Sequence, residues 1–323
     1  MKDFLRIADL SSGDLAALLD LADACRAHPH DFTDLLANET VVCYFAKPST
    51  RTRLSFAAAI AHLGGIAEIV GPNELQLGRG ETIEDTAHVI SRYAKAFVIR
   101  TFADDDVGRF AAAASIPVIN ALTDQHHPCQ ALADLLTLRQ HFGALRGLKV
   151  AYLGDGNNVA HSLMEACALA GVDISVATPP GYEPDPLIVG TAAVLADQSG
   201  ARLAVHNDPL AAVNGADAVY TDVWVSMGDP ESERAQRQAA LAPYRVDDRM
   251  MSVAAERAVF LHCLPAHRGD EVTADVIDGE RSLVFEQAAN RMHTAQAMLV
   301  SLLTNRLHGA APRPYSHSLM RAL

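Results

Sequence analysis

Short apolar runs alternate with longer helical patterns along this chain, and this alternation restricts the fold more than any other feature. The strand candidates lie at residues 41–46, 66–70, 96–99, 117–120, 148–153, 174–177, 203–206, 218–221 and 258–262. Residues with helical periodicity lie between them, for example 54–63 and 83–93. Because strands that alternate with helices pair in parallel, the sequence predicts an α/β fold whose mainly parallel sheets are flanked by helices.

The alternation pauses at a longer helical pattern over residues 130–142 and resumes after Gly147. A chain of 323 residues is also long enough for about two domains. We therefore predict one domain over residues 1–139 and a second over residues 143–286, each with its own mainly parallel sheet. Residues 290–307 are apolar at helical spacing and predict a closing helix.

Composition and charge exclude several classes of protein. The formal net charge is −13, so the surface repels nucleic acid and acidic membranes, and neither is an expected partner. The five cysteines form no CxxC pair, which argues against a disulfide framework and favours the reducing cytoplasm. The first residues carry charges where a signal peptide needs an apolar run, and no apolar stretch approaches the ~18 residues that span a bilayer.

The segment Ser49-Thr50-Arg51-Thr52-Arg53 concentrates the groups of a phosphate pocket between a predicted strand and a predicted helix. Ser49 is predicted to be the helix N-cap. The free N–H groups of a first helical turn favour an anion, and arginine can bind phosphate through two parallel hydrogen bonds. The alternative is a capped surface helix with solvated arginines.

Two further groups of polar residues follow strands of the first half. Arg100-Thr101 directly follows the strand at 96–99, and ligands of open parallel sheets gather at the carboxyl ends of strands. An ion pair at a strand end would explain an arginine there equally well. His127-Pro128-Cys129-Gln130 offers an imidazole and a carboxamide. His126, His127 and Cys129 are too closely spaced for a tetrahedral metal site, so we expect no metal there.

In the second half, polar segments again follow strands. Gly154-Asp155-Gly156-Asn157-Asn158 could open a dinucleotide site, but Val159 replaces the third glycine and the next strand ends without an acid. Asp222 follows the strand at 218–221, and Cys263 follows the strand at 258–262. Taken alone, Asp222 could be a helix cap and Cys263 a small buried apolar side chain.

In this order and at these separations, STRTR, RT and HPCQ resemble the carbamoyl phosphate half of the aspartate/ornithine carbamoyltransferase family. The resemblance runs through nearly the whole chain. It implies that Gln76 reaches the site of a neighbouring subunit in a homotrimer or a multiple of trimers. It also implies that Arg291, in Arg291-Met292-His293-Thr294, borders the same site and fastens the closing helix back onto the first domain. The residues implied to bind carbamoyl phosphate are Ser49, Thr50, Arg51, Thr52, Gln76, Arg100, His127, Gln130 and Arg291.

The segments Asp222-Val223-Trp224-Val225-Ser226-Met227-Gly228 and His262-Cys263-Leu264-Pro265 resemble the signatures of the ornithine-specific members of that family. The chemistry agrees, because a cationic diamine acceptor needs a carboxylate such as that of Asp222. The residues implied to bind ornithine are Asn158, Asp222, Ser226, Met227, Cys263 and Leu264. The residues implied to be catalytic are Arg100, His127 and Cys263.

The implied reaction transfers a carbamoyl group from carbamoyl phosphate to the side-chain amine of L-ornithine, giving L-citrulline and phosphate, within the arginine metabolism of the cytoplasm. It requires no metal and no organic cofactor. Two alternatives remain open. The acceptor could be a related amine, such as N-acetylornithine or putrescine, or the protein could bind a phosphorylated metabolite without catalysis.

Overall fold

The structure is a computed structural model that describes residues 1–225 and 231–304. Its strands are β1 Thr40–Phe45, β2 Ile66–Val70, β3 Ala96–Arg100, β4 Val118–Leu122, β5 Lys149–Leu153, β6 Asp173–Ala177, β7 Leu203–His206, β8 Ala218–Thr221 and β9 Val259–His262. Its α-helices are α1 Ser12–Ala27, α2 Arg51–His62, α3 Ile83–Ile90, α4 Asp104–Ala113, α5 Pro128–Phe142, α6 Asn158–Ala170, α7 Pro186–Ser199, α8 Pro209–Val213, α9 Arg234–Leu241, α10 Asp248–Val253, α11 Ala274–Ile277 and α12 Val284–Thr304. Short 3-10 helices cover Ile7–Asp9, Gln76–Arg79, Glu231–Glu233 and Ala242–Tyr244.

The strands form two parallel sheets. The first has the order β2-β1-β3-β4 and the second the order β7-β6-β5-β8-β9, and every strand pair in both is parallel. Strands β3, β4 and β8 are mostly apolar and buried along their whole length, as expected for sheets covered by helices on both faces. The predicted fold class is therefore confirmed.

Helices α5 and α6 join the two halves. They pack against each other, and one continuous apolar core extends from the first sheet through both helices to the second sheet. Helix α12 packs against α1, α2 and α5, so the closing helix does return to the first half. It begins at Val284, earlier than the predicted start at 290, and Arg291 therefore lies about two turns inside the helix rather than at its start.

The carboxyl ends of β1, β3, β4, β5, β8 and β9 are each followed by one of the polar segments singled out in the sequence. In open parallel sheets this is the edge at which ligands bind. In the part of the chain that the structure describes, no helix is long and apolar enough to cross a membrane.

Candidate active site

Helix α2 begins directly after the loop that follows β1. The expectation that Ser49 caps this helix is wrong, because Thr50 occupies the N-cap position. Thr50 has helical backbone angles, φ −85° and ψ −59°, and its side chain makes no capping hydrogen bond. A cap requires an extended residue whose side-chain oxygen turns back onto the first turn. The first N–H groups of α2 thus keep their capacity to bind an anion.

A cluster of cationic side chains faces this helix start. Arg51 in α2, Arg100 at the end of β3 and Arg291 in α12 lie close enough for the pKa of Arg100 to be lowered by both of the others. Burial is the larger cause, and together these effects lower the pKa of Arg100 to about 10. None of the three arginines forms an ion pair within residues 1–225 and 231–304. Three neighbouring guanidinium groups without anionic partners make a strong anion site.

His127 lies at the N-cap position of α5 beside this cluster. Burial, followed by the charges of Arg291, Arg100 and Arg51, lowers the pKa of His127 well below 6.5. The imidazole is therefore neutral at physiological pH and can donate one N–H. Its Nδ1 atom is buried and has no hydrogen-bond partner among the described residues.

A buried hydrogen-bond network connects the phosphate side to the acceptor side. Arg291 Nη2 donates to Thr52 Oγ1 at 2.9 Å, and Arg291 Nη1 donates to Gln130 Oε1. Gln130 Nε2 then donates to Asp134 Oδ1 at 2.8 Å, and Gln287 Nε2 donates to the same oxygen at 2.6 Å. Burial raises the pKa of Asp134 to about 7. The network extends to β9, because Gln287 Oε1 accepts from the backbone N–H of His262 at 3.0 Å.

The acceptor side centres on Asp222 and Cys263. The Cys263 thiol donates to Asp222 Oδ1 across 2.9 Å, and Asn157 Nδ2 donates to Asp222 Oδ2 at 2.9 Å. Burial and the Asp222 carboxylate raise the pKa of Cys263 well above 9. Cys263 is therefore a neutral thiol, which suits an orienting role better than attack as a thiolate.

The turn after β9 is held by its own histidine. The Leu264 N–H donates to His262 Nδ1 at 2.8 Å, and His262 Nε2 lies 3.3 Å from Glu271 Oε1. Leu264 has a positive φ of 58° and precedes a cis peptide bond to Pro265. Ligand atoms of Asp222, His262 and Cys263 lie within 4.8 Å of one another. Cys263 and Asp222 are hydrogen-bonded to each other, and His262 Nδ1 already accepts from the Leu264 N–H.

Asn158 is the first residue of α6, and its Nδ2 donates to the Thr123 carbonyl at 2.6 Å. Its Oδ1 keeps the capacity to accept from a ligand. The predicted residues Ser226 and Met227 lie outside the described residues. Gln76 is exposed, on the 3-10 helix between β2 and α3, where a plain loop was expected.

Gly156, in the segment after β5, has a structural explanation that does not involve a nucleotide. A Cβ atom on Gly156 would lie 2.2 Å from the backbone nitrogen of Pro184, so only glycine fits there. Asp155 forms an ion pair with Arg237, and Arg237 Nε also donates to the Trp224 carbonyl at 2.8 Å. The loop is thereby tied to the segment after β8.

Several residues that bear on the site were not predicted from the sequence. They are Asp134, Asn157, Ser162, Arg237 and Gln287. Each acts through a partner distant in sequence, for example 153 positions between Asp134 and Gln287 and 82 between Asp155 and Arg237. Asn157 alone had a local signal, since an asparagine before an apolar helix is a natural N-cap, and it does cap α6.

Comparisons with known proteins agree with this geometry. The domain model for the aspartate/ornithine carbamoyltransferase carbamoyl-P binding domain matches residues 2–140, and the model for the Asp/Orn binding domain of the same family matches residues 146–302. The ornithine carbamoyltransferase of Parafrankia sp. (strain EAN1pec) is 52% identical over 97% of this chain and 99% of the relative. That of Bacillus subtilis (strain 168) is 50% identical over 94% of both chains. The solved ornithine carbamoyltransferase from Pyrococcus furiosus superposes with a TM-score of 0.90 at 45% identity, covering 94% of this chain and 97% of the other. The chain therefore belongs to the aspartate/ornithine carbamoyltransferase family.

Proposed function

We propose that this protein transfers the carbamoyl group of carbamoyl phosphate to the side-chain amine of L-ornithine, giving L-citrulline and phosphate. The observation that carries the proposal is that an arginine cluster, with Arg100 and Arg291 buried and Arg51 half-buried, faces a carboxylate–thiol pair at the carboxyl ends of the two sheets. The arginine cluster suits a phosphorylated anion, and the carboxylate–thiol pair suits a cationic amine. Residues 1–139 with the closing helix would bind carbamoyl phosphate, and residues 143–286 would bind the acceptor.

The phosphate of carbamoyl phosphate would bind at the start of α2, held by Ser49, Thr50, Arg51 and Thr52. Arg100 and the neutral His127 would donate to the carbonyl oxygen, where negative charge develops in the transition state. A donor at such a position is typically worth ~3 kcal/mol. Gln130 and Arg291 would hold the carbamoyl end, and the buried network supports this because it orients both side chains.

Ornithine would place its α-amino and α-carboxylate groups against Asn158, Asp222, Ser226 and Met227. Its side-chain amine has an unperturbed pKa of about 10.4 and must lose a proton to solvent before it attacks. Cys263, Asp222 and the Leu264 turn would orient it. The amine nitrogen then forms a bond to the carbonyl carbon, the bond from that carbon to the phosphate oxygen breaks, and the departing phosphate takes the remaining proton. No step changes an oxidation state, and we propose no metal or organic cofactor.

We further propose that the active site is shared between subunits of a homotrimer or a multiple of trimers. Gln76 lies on an exposed segment and would enter the carbamoyl phosphate pocket of a neighbouring chain. The net charge of −13 supports a protein that binds neither nucleic acid nor acidic membranes. The unpaired cysteines support a location in the cytoplasm, where the reaction would serve arginine metabolism.

The decisive experiment is a product assay with carbamoyl phosphate and three acceptors: ornithine, N-acetylornithine and putrescine. Turnover should be high only with ornithine, because the site offers Asp222 and Asn158 to a free α-amino group. An Arg51→Ala variant is the matched control and should lose activity with every acceptor. Preferential carbamoylation of N-acetylornithine or putrescine would show that this amine, and not ornithine, is the acceptor. Binding of carbamoyl phosphate without turnover of any amine would refute the catalytic assignment.

A further inference from the structure

The first turns of α6 hold the loop that carries His127. This loop, residues 123–127, follows β4 of the first sheet, whereas α6 follows β5 of the second. Besides Asn158, which binds the Thr123 carbonyl, two α6 side chains contact the loop. His161 Nδ1 lies 2.9 Å from the Gln125 carbonyl oxygen, and Ser162 Oγ accepts from the His127 backbone N–H at 2.8 Å.

The tautomer of His161 follows from its surroundings. Its Nε2 accepts from the backbone N–H of Asp185 at 2.9 Å, so the proton lies on Nδ1 and is donated to the Gln125 carbonyl. Burial also lowers the pKa of His161, which keeps the ring neutral. The His161 ring is thus a fixed bridge between the segment before α7 and the His127 loop.

Of the contacts made by Asn158, His161 and Ser162, only that of Ser162 is made to His127 itself. His127 is buried, and its carbonyl oxygen accepts from the N–H groups of Gln130 and Ala131 in the first turn of α5. Its own N–H points away from α5, into α6, where Ser162 is 1% exposed. Both ends of the His127 backbone are therefore anchored, one by each half of the molecule, while its ring has no hydrogen-bond partner at Nδ1 among the described residues.

We propose that Ser162 is a positioning residue that aims the His127 imidazole at the carbonyl oxygen of carbamoyl phosphate. The proposal rests on the function proposed above and deepens it. Asp104 also anchors the loop, through Thr123 and the Gln125 N–H, but no described group other than Ser162 accepts from the His127 N–H. Without this acceptor the His127 backbone can shift, and the ring shifts with it.

The same helix also begins with Asn158, which we place in the ornithine pocket. One face of α6 thus carries an acceptor contact and, one turn later, the group that holds His127. A movement of α6 when ornithine binds would be transmitted directly to the carbonyl side of carbamoyl phosphate. Ser162 therefore joins the two substrate pockets through a single rigid element.

The test compares Ser162→Ala with Ser301→Ala. Ser301 is the matched control, because it is equally buried, lies in α12, and its hydroxyl has no partner among the described residues. A displaced catalytic group can reduce turnover by up to about 100-fold, so we expect kcat of Ser162→Ala to fall about 10- to 100-fold. Inhibition by inorganic phosphate, which reports on the start of α2, should change less than about twofold.

Hydrogen exchange gives a readout that does not depend on activity. Exchange in the segment spanning residues 123–127 should be faster in Ser162→Ala than in the parent and unchanged in Ser301→Ala. Ser162→Cys keeps a similar volume with a weaker acceptor, so its kcat should fall, but less than that of the alanine variant. If the alanine variant does not fold, kcat and hydrogen exchange are measured on the cysteine variant instead.

Three outcomes would overturn the inference. The first is a Ser162→Ala enzyme whose kcat equals that of Ser301→Ala. The second is a loss of kcat in Ser162→Ala that is matched by an equal weakening of inhibition by phosphate. The third is a Ser162→Cys enzyme whose kcat and hydrogen exchange are both unchanged from the parent. A parent protein that forms no citrulline would instead remove the proposed function. The two failures are therefore distinguishable.

Discussion

Replacing Arg100 by methionine should make the unliganded protein more stable while nearly abolishing catalysis. Arg100 is buried at the end of β3, close to Arg51 and Arg291, and its Nε has no hydrogen-bond partner among the described residues. Arg100 is therefore a largely desolvated cation that has no carboxylate partner among residues 1–225 and 231–304. Such a residue is retained for its ligand rather than for stability.

The magnitude follows from the pKa of Arg100. Burial and the two neighbouring arginines lower this pKa from 12.5 to about 10, so the charged form is disfavoured in the folded state. At neutral pH the group is charged in both the folded and the unfolded chain. The cost is therefore fully present at every pH below about 10, and it corresponds to about 3 kcal/mol. Methionine keeps a long flexible side chain without the charge, and we expect it to recover about 1–3 kcal/mol.

Thermal unfolding with and without inorganic phosphate measures this effect. Without phosphate, the midpoint of Arg100→Met should exceed that of the parent by several degrees. Phosphate should raise the midpoint of the parent more than that of the variant, because a bound anion stabilises the folded state in proportion to its affinity. The citrulline assay should show a loss of kcat of about 10²- to 10³-fold, typical of a missing oxyanion donor.

Arg109→Met is the matched control, since Arg109 is exposed, pairs with Glu84 at 2.9 Å and lies outside the proposed site. It should leave both midpoint and activity near those of the parent. A lower midpoint for unliganded Arg100→Met would show that Arg100 is structurally required, and near-normal turnover would show that it is not a donor to the substrate. Either result refutes the reasoning.

Three further predictions concern other parts of the site. Cys263→Ser should keep the fold and lower ornithine turnover, and mass spectrometry during turnover should find no carbamoylated Cys263; such an adduct would contradict direct attack by the amine. Two nearly inactive variants, Gln76→Ala and Arg51→Ala, should regain activity when they are unfolded and refolded together. Some sites of the mixed oligomers would then receive an intact Gln76 and an intact Arg51 from different chains. Mixed oligomers without activity would contradict a shared site. Asp134 has a pKa raised from 3.8 to about 7, so its contribution to the stability of the fold is present below about pH 4 and is lost as the pH rises through about 7. Asp134→Asn should therefore flatten this part of the plot of unfolding free energy against pH. Parallel plots for the variant and the parent would contradict this prediction.

The fold class followed from local patterns because buried parallel strands are continuous apolar runs. Three predicted strands, 66–70, 203–206 and 218–221, have the observed bounds. Helix starts were less accurate. Ser49 was misplaced as a cap, and α12 begins earlier than expected, because a first turn is decided by backbone angles that composition specifies weakly.

The sequence by itself determined which segments follow strands, and therefore which side chains gather at the carboxyl edges of two parallel sheets. Only the tertiary structure decided which of these side chains touch. Arg291 meets Thr52 across 239 positions of sequence, and Ser162 meets His127 across 35. No local pattern encodes such pairs, because they arise when helices from different parts of the chain pack on one core. The charge states also depend on tertiary packing. His127 is neutral and Arg100 is destabilising because packing removes water from both and places other arginines beside them.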